Sequence, residues 1–302
     1  MMKRTCSLVL FLIGTGLTQA SVAQLNIFAC EPEWASLAKA LGGDQVKTTA
    51  ATTAHQDPHR IEPRPSLIAK LRRADLLVCS GAELEIGWLP MLQRQAGNRK
   101  VLPGQAGYFE AAEQVERLGI PKQVDRSMGD IHASGNPHVH LDPNRLLTIA
   151  SALSERLITL DPSNAAHYRS RFDDFTSRWR QALKRWQRIA KPLKGARVVV
   201  HHQDWVYLFD WLQIIKVGSL EPKPGLPTSA GHLAKLRQAL IKEPAGAIVY
   251  THYQNPKAAN RLSQLTGIAA LELPYTVGGG EGVTDLFSLY DETLKRLLKV
   301  IP

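Results

Sequence analysis

Ten histidines are spread along the 302 residues, and several stand where an α/β chain offers side chains to a cleft. His59 lies in Asp57-Pro58-His59-Arg60-Ile61-Glu62-Pro63-Arg64-Pro65-Ser66, a loop that three prolines hold in a restricted shape, so its imidazole loses little entropy on binding. His138 and His140 lie in Gly135-Asn136-Pro137-His138-Val139-His140-Leu141-Asp142-Pro143. Residues two apart share a face on an extended segment, but the flanking prolines argue against a regular strand. One of this pair is expected to reach a given ion, and the sequence leaves open which. His201 and His202 follow the apolar run Val198–Val200 and, as neighbours, should point opposite ways, one into a cleft and the other into packing. Two carboxylates, Glu281 and Asp285, sit in the glycine-rich stretch 276–285 before the last helix, where Asp285 also suits an N-cap.

Three imidazoles and one carboxylate make a closed four-coordinate shell suited to Zn²⁺, with bonds of about 2.0–2.2 Å. Nitrogen-rich ligation argues against Ca²⁺ and Mg²⁺, which prefer oxygen, and leaves Mn²⁺ and Cu²⁺ open. A closed shell has no position for an activated water, and no His-Glu-x-x-His helix is present, so a holding site is expected rather than an enzyme.

The elements that must position these side chains alternate in type. Strands are predicted at Leu25–Ala29, Val46–Thr53 and Asp75–Cys79, with helices at Trp34–Leu41 and Pro65–Arg73. From Ser163 to Ala190 there is no Gly or Pro, and Tyr168, Phe172, Phe175, Trp179, Leu183 and Trp186 recur at spacings of three and four, which predicts one long amphipathic helix. A second alternating block follows. Its strands are predicted at Val198–Val200, Ile214–Val217, Ala247–Tyr250 and Ala269–Leu273, and its helices at Leu233–Leu240, Ala258–Leu265 and Leu286–Leu298. The expected fold is α/β: two parallel-sheet domains, 24–160 and 193–302, joined by one long rigid helix within 161–192, with a metal site in the cleft between them.

Residues 1–23 read as a signal peptide: Lys3 and Arg4, an apolar run from Leu8 to Leu17, and the small-residue exit Ala20-Ser21-Val22-Ala23. The mature chain then begins near Gln24 and is not lipidated at Cys30. Cys30 and Cys79 end two predicted strands in what should be an oxidising compartment, so a disulfide is expected. The formal charge of +10 comes from basic residues scattered on polar helix faces, as in Arg178-Arg180-Lys184-Arg185-Arg188. They do not interleave with aromatics, which argues against nucleic acid as a partner.

Taken in order, these segments resemble the metal-specific substrate-binding proteins of bacterial ABC importers, the group serving zinc and manganese, over essentially the whole mature chain. The His59 loop is similar to that family's Asp-Pro-His-x-x-Glu-Pro-x-Pro-Ser segment. Asn136 to Pro143 is similar to its Asp-Pro-His-x-Trp-Leu-Asp-Pro segment, with His140 in place of Trp. His202-Gln203-Asp204-Trp205-Val206-Tyr207 and Thr284-Asp285-Leu286-Phe287-Ser288-Leu289 resemble two further segments. The resemblance puts the ligands on His59, His138, His202 and Asp285. It implies a periplasmic, monomeric protein that carries Zn²⁺ as cargo, works with a permease and its ATPase, and has a metallochaperone as an optional further partner. It also implies only modest domain movement on binding. The family's long His- and acid-rich loop is short here, 124–134, and holds only His132. Keeping His202 where manganese members carry Glu favours zinc. The competing expectations are a manganese-binding transport protein, a secreted zinc hydrolase using Glu62 or Glu281 as base, and a binder of haem or a siderophore.

Overall fold

The computed structural model describes residues 24–123, 129 and 131–301; the expected signal peptide lies outside them. Two four-stranded sheets form the frame, and every strand pairing in them is parallel. The first contains β1 (Leu25–Ala29), β2 (Val46–Ala50), β3 (Leu76–Cys79) and β4 (Tyr108–Glu110) in the order β2-β1-β3-β4. The second contains β5 (Arg197–Val200), β6 (Ile215–Ser219), β7 (Ala247–Thr251) and β8 (Ala269–Leu273) in the order β6-β5-β7-β8. Counted from its own first strand, each half has the same order. The chain turns back on itself beside β1 in one half and beside β5 in the other, and such switch points open crevices at the carboxyl ends of the strands. Central strands of this kind are covered on both faces and read as continuous apolar runs, as β3 does with all four residues buried.

Parallel pairing needs crossovers, and helices supply them. The first half carries α1 (Pro32–Gly42), α2 (Pro65–Arg72), α3 (Leu89–Ala96) and α4 (Pro143–Leu160); the second carries α6 (Val206–Leu212), α7 (Ala230–Lys242), α8 (Lys257–Thr266) and α9 (Leu286–Val300). Three of the elements, α3, β4 and α6, are not among those read from the sequence, and α4 was read only as a helix following the His138 loop, without bounds. The expected strand over Val46–Thr53 ends at Ala50, because Thr53 turns to donate from its backbone N to Gln56 Oε1 (3.0 Å). Cys30 and Cys79, at the ends of neighbouring strands, are joined in a disulfide with Cα atoms 4.8 Å apart, as expected.

The joining helix, α5, runs over the 25 residues Ala165–Ile189, preceded by a 3₁₀ turn at Pro162–Asn164. At 1.5 Å per residue it is about 38 Å long, enough to reach along both halves. Tyr168, Phe175, Trp179 and Trp186 on its apolar stripe are fully buried, while Phe172 and Leu183 flank the stripe, partly covered. Trp179 Nε1 donates to Pro143 O at the start of α4 (2.8 Å), and Trp186 Nε1 donates to Asp291 Oδ1 on α9 (2.6 Å). The stripe thus fastens to the first half at one end and to the second at the other, and one apolar core runs continuously through both. No helix among the described residues is long and apolar enough to cross a membrane.

Candidate metal centre

Three loops, each just beyond the carboxyl end of a strand or at the mouth of a helix, bring His59, His138 and His202 together. One ligand atom from each lies within 4.8 Å of the others. A tetrahedral zinc with bonds of about 2.0–2.1 Å holds its nitrogens about 3.3 Å apart, so a contraction of at most about 1.5 Å closes the shell. The ring centroids are 6.0 Å apart for His59–His138, 5.7 Å for His59–His202 and 6.4 Å for His138–His202.

Each imidazole is oriented through Nδ1. In the loop after β2, Asp57 Oδ1 accepts from both the His59 backbone N (3.0 Å) and His59 Nδ1 (2.8 Å). Pro58 O in turn accepts from the buried Trp88 Nε1 (2.9 Å), which fixes the loop against the first half. After β5, His202 Nδ1 donates to Glu221 Oε2 (2.7 Å). Before α4, His138 Nδ1 meets Tyr275 Oη at 2.7 Å. A carboxylate on Nδ1 forces that nitrogen to carry the proton, which leaves the Nε2 lone pair for a cation and raises its basicity.

The segment holding His138 is pinned from both halves. Asn136 Oδ1 accepts from the His138 backbone N (3.1 Å), Asn136 Nδ2 donates to Gln203 O (2.8 Å), and Tyr207 Oη donates to Asn136 O (2.7 Å). Gly135 precedes it at φ 104°, and a Cβ there would meet Arg117 Cβ and Ile120 Cγ1 at 3.0 Å, so glycine is required twice over.

The electrostatics differ among the three. Burial, with the neighbouring His59 and His202, pushes the His138 imidazole well below its ordinary value, so it is neutral. Burial works in the same sense on His202, but the charges of Asp204 and Glu221 outweigh it and raise that imidazole to about 9. Asp204 is completely buried behind the cluster, with Oδ1 3.8 Å from His138 Nε2. It accepts from Tyr253 Oη (2.7 Å) at Oδ1 and from Gln254 Nε2 (2.7 Å) at Oδ2. A negative charge held in place by two neutral donors favours a cation nearby.

The expected carboxylate ligand does not join the cluster. Asp285 is exposed and caps α9: its Oδ1 accepts from the Ser288 backbone N (2.8 Å) and from Ser288 Oγ (2.7 Å), closing a capping box. It lines a separate groove with Pro32, Lys39 and Arg171, so the N-cap role is the one it fills. Glu281 is also exposed and outside the cluster. His140 is fully buried and turned away; its Nε2 donates to Tyr275 O (2.9 Å) and its Nδ1 lies 3.3 Å from Glu33 Oε1. His132 comes close, with Nε2 3.3 Å from His59 Nε2 and its ring stacked on His59 at 5.3 Å. Asp57, Asp204 and Tyr275 were not read from the sequence as parts of a site, and Glu221 was placed only in a loop near the cleft. Their common signal is position, since each lies in the loop that follows a strand.

The family model described as ZnuA, "Zinc-uptake complex component A periplasmic", matches residues 27–300. A manganese ABC transporter substrate-binding lipoprotein, scaA of Streptococcus gordonii, is 29% identical over 154 residues, covering 50% of this chain and 46% of its own length. PsaA of Streptococcus anginosus, of the same description, is 28% identical over 186 residues, covering 59% of this chain and 58% of its own length. The chain thus spans about half the length of the curated relatives it matches. A crystal structure of ZnuA superposes with a TM-score of 0.78 at 19% identity, over 92% of this chain and 100% of that one. A Mn-bound periplasmic metal binding protein from Candidatus Liberibacter asiaticus does so at 0.74 and 15% identity, over 92% of this chain and 100% of its own. At such identities these structures speak for a shared fold. With its family model matched from residue 27 to residue 300, the chain belongs to the family of the periplasmic component A of zinc-uptake complexes.

Proposed function

We propose that this chain captures a single Zn²⁺ in the periplasm and delivers it to an ABC importer made of a permease and its ATPase. The observation that carries this reading is the convergence of His59, His138 and His202 within 4.8 Å, two of them with a carboxylate on Nδ1. In this reading the ion is cargo, bound through the three Nε2 atoms between the lobes 24–160 and 193–302. His132 is placed to supply a fourth donor, with water as the alternative. Asp285 is not part of the shell.

An all-imidazole donor set supports zinc over manganese, which is better served by carboxylate and water oxygen. The manganese named for the streptococcal relatives is thus not carried over. The arrangement supports holding rather than hydrolysis: the carboxylates beside the cluster, Asp57, Asp204 and Glu221, are engaged by hydrogen bonds from the protein. The test is metal analysis of protein purified from the periplasm, followed by competition between Zn²⁺ and Mn²⁺. One zinc per monomer, not displaced by excess manganese, is expected. Copurified manganese that zinc fails to displace overturns the zinc assignment, and turnover of ester, peptide or lactam substrates by the loaded protein overturns the transport reading.

A further inference from the structure

Away from that cluster, a second pair of imidazoles bridges the two halves. His55 lies in the loop after β2, and His252 follows β7. Their ring centroids are 5.6 Å apart at an interplanar angle of 64°. That separation matches the 5.7–6.4 Å found among His59, His138 and His202. Two imidazoles that share a zinc through bonds of about 2.0–2.1 Å place their centroids about 5–6.5 Å apart, so the pair already stands at bridging distance.

His252 is also oriented as a ligand is. Its Nδ1 stands 2.8 Å from Glu272 Oε1, so a carboxylate lies beside that nitrogen as Asp57 and Glu221 do beside His59 and His202. Its other nitrogen, Nε2, is buried and has no hydrogen-bond partner among the described residues. A buried ring nitrogen left unpaired costs free energy, which a cation would recover. The glycine loop holds the ring: a Cβ at Gly279 would stand 3.1 Å from His252 Cδ2 and 2.8 Å from Thr276 O. The opposing charge is Arg296, whose Nη1 donates to Glu272 O (3.0 Å) and whose Nε donates to Glu292 Oε1 (2.9 Å), so Glu292 balances it. His55 is exposed, which leaves the pair open to solvent.

We propose that His55 and His252 form a second, weaker site for a divalent transition cation of the zinc class, its remaining positions filled by water. With two protein ligands the ion exchanges readily, and because the ligands come from opposite halves the bound ion also ties those halves together.

The test is a Zn²⁺ titration of the untagged full chain by calorimetry, with the imidazole ¹⁵N signals followed by NMR. Two events are expected, the second weaker by on the order of 100-fold because it has fewer protein ligands. His55→Gln and His252→Gln should each abolish the second event and leave the first unchanged; the exposure of His55 keeps its variant clear of folding effects. A missing second event, or one that persists in either variant, overturns this inference. Loss of the first event alone speaks against the three-histidine cluster instead, so the two readings fail separately.

Discussion

In the two imidazoles held by carboxylates, Asp57 and Glu221 decide which nitrogen meets an ion, and that choice is made before any ion arrives. Glu221→Gln keeps the shape of the contact but removes the charge, and is expected to weaken zinc binding about 10–100-fold by competition titration. His202 carries a further consequence. Raised to about 9, it is protonated in the metal-free protein at about pH 7, and an ion binding at Nε2 must expel that proton. Zinc affinity is therefore expected to climb about tenfold per pH unit from about 7 towards 9, with proton release visible by calorimetry in buffers of different ionisation enthalpy; a flat profile would contradict it. The metal-free fold should run the other way. A histidine whose folded value is raised contributes stability that is complete below about 6.5 and is lost as pH rises through about 9, whereas the loaded protein is spared this loss. At this scale His59 was legible from its proline-bound loop. His138 and His202 were each one of a pair, and the choice within each pair depended on loop shape, which no spacing rule supplies. Asp285 stands apart from the cluster as the cap of α9, and a carboxylate before a helix looks the same in sequence whether it caps or coordinates.

Strand ends and helix starts do the positioning. β2 leads into the His59 loop, β5 ends one residue before His201, and α4 opens just after His138 and its short 3₁₀ turn. Asp285 belongs to this scale, as the cap of α9. Asp285→Ala is expected to lower stability by about 1 kcal/mol in a denaturant titration and to leave zinc affinity unchanged; a large loss of affinity would return Asp285 to the shell. The elements legible in sequence were those with strong periodicity or compact apolar runs, such as α5 and β3. The missed β4 has three residues and α6 has seven, too few for a period to declare itself. The longer α4, read only as a helix after His138, has a clear stripe in Leu146, Ile149, Ala150, Leu153 and Leu157, all buried, so its extent was present in the sequence.

For the whole molecule, the decisive feature is that the cluster draws on both halves. His59 and His138 come from the first and His202 from the second, while Tyr207 and Tyr275 of the second half hold the His138 segment of the first. A core continuous along α5 and hydrogen bonds such as Tyr290 Oη to His140 O (2.6 Å) oppose wide opening of the halves. Two α/β halves of shared architecture were readable from the alternation of elements, but the strand order and the tyrosines that cross the seam were not, since alternation does not say which strands pair and the tyrosine contacts join residues 71 and 137 apart. The most direct measurement is a crystal of the chain with one equivalent of zinc, using anomalous scattering at the zinc edge. A single peak about 2.0–2.1 Å from the Nε2 atoms of His59, His138 and His202 is the expected result. A peak elsewhere, or one bonded to fewer than these three imidazoles, would contradict the account.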